Sequence, residues 1–338
     1  MKIANIGGYG HSVCVFDEIL QTDKAKLVAF APAYAGEDTS IVTSHKIYND
    51  NILYYDNYEE MLEKEKPDVV IVSTRLDKIA EVAIYAANCG SHLICEKPLA
   101  INHNDLENLY GAVKKNNIKL MAMLSMRAEQ PFIAAREIYQ SGKIGEAVLI
   151  NSRKSYKWGT RPEWFGDKSK YGGTIGWVGI HALDFINFIT ELDFVSVAAM
   201  QNNFSHSERK DCEDNCVLIL EMNNGGHATV SVDFFRPKFA ETHGDDWIRI
   251  VGTKGVLEAS TENNNCIIIT NEEKKTIIPE NVENKIFKYF LNSLIRKTEP
   301  EISMEIPFML TNVCLTAQEA AENKTVNKLT KINIKNDE

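Results

Sequence analysis

Over its first third the chain alternates between short apolar runs and longer segments with helical periodicity. Lys2–Ile6, Lys26–Phe30, Asp68–Ser73, His92–Cys95 and Lys119–Ser125 are mainly apolar and of strand length. Runs of this kind, without polar alternation, predict strands buried on both faces. Between them, Val13–Leu20, Asp56–Lys66, Asp77–Cys89 and Asp105–Asn117 carry apolar residues at helical spacing. Asp56 is the expected N-cap of its helix, and Gly90 follows the third helix as the residue that commonly closes one. Strands alternating with helices predict an α/β fold, a doubly wound parallel sheet over residues 1–125.

After residue 125 the pattern changes. Gln130–Gln140 reads as a helix closed by Gly142, and Ala147–Tyr156 as a strand. Phe194–Phe204, Asn215–Met222, Ala228–Phe235 and Trp247–Val251 alternate apolar and polar residues with period two, and Cys216, Leu218, Leu220 and Met222 share one face. Asn224-Gly225-Gly226 is a hairpin signal. Residues 126–338 are therefore expected to form an α+β domain with a mostly antiparallel open sheet. One face would lie on helices and the other would be left for a partner or a second copy. Ile286–Lys297 and Pro307–Asn323 read as late helices, and Lys331–Ile334 as a final short strand.

Composition narrows the class. The 338 residues, 44% hydrophobic, can bury cores in two domains. A net charge of −10 argues against nucleic acid as a partner. No apolar run approaches the length of a membrane span, and Met1 leads straight into a strand, without the pattern of a signal peptide. Seven cysteines, mostly within apolar runs, read as reduced residues of a cytoplasmic protein. Cys212 and Cys216 near His206 lack a second ligand pair, so no metal is expected.

Candidate chemistry sits at the ends of the apolar runs. Gly7-Gly8-Tyr9-Gly10-His11-Ser12 joins the first strand to the first helix. Glycines there admit a pyrophosphate, and the helix N-terminus faces it. The strict G-x-G-x-x-G spacing is not met, because Val13 stands at the third glycine. Glu96-Lys97-Pro98 ends the run His92–Cys95, so Lys97 faces the crevice where such sheets bind ligands, beside a carboxylate able to hold its ammonium. Ser73, Thr74 and Arg75 end the neighbouring strand. Later, Gly172-Gly173 leads into a helix bearing His181, with Asp184 three residues on and on the same face. Singly, each piece equally fits a structural role: a strand-end salt bridge, a tight turn or a satisfied helix histidine.

Together, Glu96-Lys97-Pro98, the glycine-rich turn and Gly172-Gly173 through Gly179-Ile180-His181-Ala182-Leu183-Asp184 resemble the Gfo/Idh/MocA oxidoreductases, the glucose–fructose oxidoreductase and inositol dehydrogenase family. Ser125-Met126-Arg127, Trp164-Phe165 and Gly252-Thr253-Lys254-Gly255 extend the likeness over essentially the whole chain. The resemblance implies NAD or NADP held by Gly7, Gly8, Tyr9, Gly10, His11 and Ser12, with Pro32, Ser73, Thr74, Arg75, Glu96 and Lys97 along its path. It implies hydride transfer at a hydroxyl-bearing carbon of a sugar, sugar derivative or cyclitol, and a homodimer or homotetramer formed on the open sheet. Lys97 and His181 would be the catalytic residues, with Arg127, Trp164, Phe165, Trp177 and Asp184 beside His181 at the substrate. The chemistry agrees: a histidine titrates near neutrality and suits a base, and a lysine stabilises a developing alkoxide.

Two positions depart from the family pattern. Trp177 stands four residues before His181, where the family usually has an aspartate. Three readings are open: catalysis by Lys97 and His181 alone, an orienting role for Asp184, or loss of dehydrogenase chemistry. The last would leave a cofactor- and sugar-responsive binding protein, or an enzyme that retains NAD and cleaves a glycosidic bond. At the second departure, Phe30-Ala31 runs into Pro32 where NAD-preferring folds place an acid. Glu37 and Asp38 come later, and no arginine stands near for a 2′-phosphate, which leaves NAD and NADP both open. Arg75 replaces a usual proline. Trp158, Arg161, Trp164 and Phe165 lie in a loop suited either to lining a carbohydrate site or to anchoring the core.

Overall fold

Val69–Val72 is buried along its whole length, as expected of a strand covered on both faces. It forms the middle of a six-stranded parallel sheet in a computed structural model that describes residues 1–280, 285–300, 302–330 and 332. The chain divides into two compact units, one of residues 1–123, 285–311 and 332–338, the other of residues 124–284 and 312–331.

In the first unit the strands are β1 (Lys2–Ile6), β2 (Lys26–Ala31), β3 (Leu53–Tyr54), β4 (Val69–Val72), β5 (His92–Cys95) and β6 (Leu120–Ala122). Their order is β3-β2-β1-β4-β5-β6, with every pair parallel. The order reverses between β1 and β4, the position where doubly wound sheets open a crevice beyond their carboxyl ends. Helices α1 (Ser12–Ile19), α2 (Ser40–Thr43), α3 (Tyr58–Glu65), α4 (Leu76–Asn88) and α5 (His103–Lys115) connect them.

Side-chain caps set the starts of two helices in this unit, and this corrects two expectations. Asn57, not Asp56, caps α3, accepting from the Glu60 N–H at 2.9 Å. Helix α5 begins at His103 because Asn102 accepts from the Asp105 N–H. The expected strand Lys119–Ser125 is shorter, and Ser125–Ala128 is a 3₁₀ turn.

The second unit contains α6 (Gln130–Gln140), β7 (Ala147–Tyr156), α7 (Lys168–Tyr171), α8 (Ile180–Thr190), β8 (Phe194–Asn202), β9 (Asn215–Met222), β10 (His227–Asp233), β11 (Gly244–Gly252), β12 (Gly255–Ser260), β13 (Asn265–Thr270) and β14 (Lys274–Ile277). Helices α9 (Ile286–Arg296) and α10 (Glu305–Asn323) and strand β15 (Val326–Lys328) complete the chain. Nine strands pair in the order β14-β13-β12-β11-β7-β10-β9-β8-β15. Only β7 with β10 is parallel. Cys216, Leu218, Leu220 and Met222 are buried on one face of β9, while Val217 and Ile219 on the other are exposed. Helices α6 and α8 cover the inner face, with Phe132 stacked on Phe185 at 4.6 Å between ring centres.

Residues 285–311, which the sequence reading places in the second domain, lie in the first unit. Phe287, Phe290 and Leu291 of α9 are buried, and Glu18 of α1 accepts from the Lys288 N–H at 2.7 Å. Strand β14 holds one apolar residue, Ile277, and β12 and β13 set their apolar residues side by side instead of alternating, so none of the three shows a period of two in the sequence. The expected strand Lys331–Ile334 falls, apart from Ile332, outside the described residues. Strand β15 lies before it, at Val326–Lys328, paired with β8.

Candidate functional site

In the first unit the turn after β1 is tied to the segments that follow β4 and β5. The Tyr9 N–H donates to the Ser73 carbonyl at 3.0 Å, and the Ser73 hydroxyl donates to the Tyr9 carbonyl at 2.9 Å. A Cβ on Gly8 would stand 1.7 Å from the Asp38 carbonyl oxygen. Gly10, at φ 118°, would bring one to 2.7 Å from Glu96 Oε2. No other residue fits either place.

Glu96 is fully buried at the end of β5. Its carboxylate accepts from the His11 N–H at 2.9 Å, lies 2.9 and 3.0 Å from His11 Nδ1, and stands 3.8 Å from the Lys97 ammonium. Burial alone would push this carboxyl up. The charge and hydrogen bonds of His11, with the charge of Lys97, outweigh burial and hold it below the ordinary carboxylate value. Lys97 is buried as well.

Glu37 is a residue sequence reasoning passed over. The chain beyond β2 folds back so that its Oε1 accepts from the Gly8 N–H at 3.2 Å and the Thr74 hydroxyl at 2.6 Å. Oε2 accepts from the Ala33 N–H at 2.7 Å. An acid therefore stands at the end of β2 after all, contributed from six residues beyond Ala31. Burial raises its pKa against these hydrogen bonds. Pro32 is buried. Arg75 is held by Asp77 at 2.5 and 2.9 Å and lies over the Tyr34 ring at 4.4 Å.

In the second unit Gly172-Gly173 leads into a π-helical segment, Ile175–Gly179, directly before α8. Gln318 fixes the approach by donating to the Gly172 carbonyl at 2.7 Å, and a Cβ on Gly173 would lie 2.2 Å from that amide nitrogen. Trp177 belongs to the π segment, and His181, buried, to the first turn of α8. Phe165, fully buried, stacks on Tyr171 at 4.3 Å and meets Trp177 edge-on at 6.1 Å, with Trp164 4.5 Å away. These aromatics pack together as one cluster that includes Trp177 of the π segment.

Arg127 and Asp184, both expected at the substrate, grip each other. Asp184 Oδ1 accepts from Arg127 Nε at 2.8 Å and lies 2.6 Å from Nη2. Burial pushes Asp184 up, and Arg127 opposes it. A second buried ion pair went unread in the sequence: Lys154 Nζ lies 2.7 Å from Asp246 Oδ1 and 4.7 Å from the Tyr156 ring centre. A lysine alternating with Ile150 and Ser152 on the buried face of β7 is its one sequence signal.

Comparison with known proteins identifies this arrangement. Residues 6–124 match the model of the oxidoreductase family with an NAD-binding Rossmann fold, and residues 132–258 match the GFO/IDH/MocA C-terminal domain. A solved structure of a candidate oxidoreductase from Thermotoga maritima is 31% identical, with a TM-score of 0.90, over 97% of this chain and 100% of that one. The chain belongs to the Gfo/Idh/MocA oxidoreductase family. The inositol 2-dehydrogenase of Salmonella paratyphi B is 25% identical over 209 residues, 61% of this chain, which spans 59% of that relative's length. The levoglucosan dehydrogenase of Pseudarthrobacter phenanthrenivorans is 32% identical over 132 residues, 37% of this chain and 34% of that one.

The first unit is thus an NAD-binding Rossmann domain, and its residues fit the group. Ser12 Oγ, at the start of α1, is buried with no hydrogen-bond partner, and the glycines keep the turn close to the sheet. Among the described residues no group of three metal-ligating side chains exists, and no helix is long and apolar enough to cross a membrane.

Proposed function

We propose that the chain is an NAD-dependent dehydrogenase moving a hydride between nicotinamide and a hydroxyl-bearing carbon of a sugar, sugar derivative or cyclitol. The observation that carries this reading is the cluster of His11, Glu96 and Lys97. One buried carboxylate holds both the N-cap residue of α1 and the lysine at the end of β5. The cofactor turn and the candidate catalytic amine are therefore positioned together. The names of the relatives support the substrate class.

Bound nicotinamide would supply the hydride chemistry. The backbone N–H groups opening α1 and the Ser12 hydroxyl would hold the pyrophosphate. Lys97 would hydrogen-bond the oxygen on which negative charge develops. His181 would take the hydroxyl proton at a ring nitrogen, held in place on the first turn of α8. Asp184 is engaged with Arg127, so in this reading Lys97 and His181 work without a third carboxylate.

NAD is favoured over NADP by Glu37, whose charge at the end of β2 opposes a 2′-phosphate. The outward side chains Val217 and Ile219 suit contact with a second copy, which light scattering would report. The deciding experiment follows nicotinamide absorbance with NAD and NADP over a panel of sugars, sugar acids and inositols, beside His181→Ala. Turnover lost in the variant supports the reading, and cofactor binding with no turnover on any polyol ends it.

A further inference from the structure

Three arginines of this protein can be compared by one edge of the guanidinium, the side-on pair Nε and Nη2. Arg75 places that edge on the Asp77 carboxylate, and Arg127 places it on Asp184. Arg161 leaves both atoms buried with no hydrogen-bond partner, and no ion pair among the described residues involves it. Its faces are provided for. The guanidinium carbon lies 4.4 Å from the Phe234 ring centre, 5.5 Å from Phe165 and 5.6 Å from Trp158. The rings attract the cation through its faces but accept nothing from its edge. A buried charged donor without an acceptor is costly.

Trp158 and Phe234 also wall a cleft of about 600 Å³ whose other lining residues include Lys157, His206, Arg236 and Lys238. No carboxylate lines it, in a chain whose net charge is −10. Arg236 is already paired with Glu262, and His206 with Asp214. Lys238 is exposed.

We infer that Arg161 is the grip for a carboxylate on the substrate, so that the preferred substrates are acidic sugars rather than neutral polyols. The inference rests on reading the second unit as substrate-binding. Planar carboxylate and guanidinium edge match in a two-point contact, the one Arg75 already makes with both oxygens of Asp77. The aromatic rings preset the guanidinium, and Lys238 draws the anion into the cleft. Because the edge is covered, the ligand enters as the loop around Gly159 lifts. Gly159, at φ 62°, stands in open space, where a built Cβ would meet only the Lys157 carbonyl oxygen, at 4.0 Å.

The test is calorimetric titration of the full chain, with NADH present, using glucose, glucuronate, galactose and galacturonate. Nicotinamide turnover is followed on the same panel. The acids are expected to bind about tenfold or more tighter than their neutral partners. Arg161→Gln should weaken acid binding about ten- to hundredfold, and Arg161→Lys, which keeps charge without the fork, should restore part of it. Lys238→Gln, exposed and harmless to folding, should weaken it about two- to fivefold. Equal binding of acids and neutral sugars, no binding of either acid, or acid binding unchanged in Arg161→Gln overturns the inference. Turnover of neutral polyols without acid preference would leave the dehydrogenase reading standing and remove only this one. Arg161-dependent acid binding without turnover of any compound would do the reverse.

Discussion

His11 and Glu96, 85 residues apart, meet so that one carboxylate accepts from the backbone N–H of the histidine at 2.9 Å and faces its ring nitrogen at 2.9 and 3.0 Å. With the buried Lys97 3.8 Å away, the charge of Glu96 compensates an ammonium that has little water to turn to.

Glu96→Gln should therefore destabilise the fold by about 3 kcal/mol at neutral pH. The native carboxyl is held below its ordinary value of 4.5. Its contribution is present above that value and is lost as pH falls through the lower native one. Thermal melts of wild type and variant should differ at pH 7 and converge only once pH has fallen through the lowered native value. A gap unchanged across that range would mean that the ionised form contributes nothing.

Lys97→Ala and His181→Ala should each lower kcat about 10²- to 10⁴-fold. NADH binding, followed by nicotinamide fluorescence, should persist in His181→Ala, since the histidine lies outside the NAD-binding unit. Loss of both together would point to misfolding instead.

Glu37→Gln should shift kcat/KM toward NADP about tenfold relative to NAD. Burial raises the Glu37 pKa, so its charge is lost earlier on acidification than that of an ordinary carboxyl. The wild-type preference for NAD should therefore narrow as pH falls. Parallel kinetics with the two cofactors at several pH values measure both effects.

Arg127→Met leaves Asp184 buried without its cation and should cost about 3–5 kcal/mol. Arg127→Met with Asp184→Leu should recover much of that loss, because the unpaired charge is gone. Chemical denaturation of the single and double variants reads the difference. Equal stability of both would show the pair to be energetically idle.

Where one periodicity ruled a segment, the sequence was legible. Strands β7 and β9 fall at the expected residues because β7 opens on the apolar run Ala147–Ile150 and then alternates burial through Lys154, and β9 alternates strictly between buried and exposed positions. Legibility failed where long-range geometry decides. Glu37 reaches β2 only because the chain turns back on Gly8, which no local spacing announces. Arg127 and Asp184 were each recognisable as unusual, but their mutual bond requires the packing of the Ser125–Ala128 turn on α8. Strand β14 hid behind lysines, which solvent permits at a sheet edge, and β12 and β13 group their apolar residues instead of alternating them. The motif residues Lys97 and His181 stood out for the opposite reason, since glycine and proline mark their surroundings in the chain itself.

The π segment Ile175–Gly179 changes what a count of residues means here. Each residue of an ordinary α-helix turns the chain by about 100°, and a π turn absorbs an extra one. Position 177 is thus four steps from His181 in the sequence but does not share its azimuth as an α-helical neighbour would. A single-residue deletion within this segment would rewind it to α-helix and swing everything upstream, Gly172-Gly173 included, around the axis relative to the histidine. The tryptophan at this place is better understood as filling a direction that the wider turn creates than as standing in for an acid, and its replacement by aspartate would put a charge against Phe165.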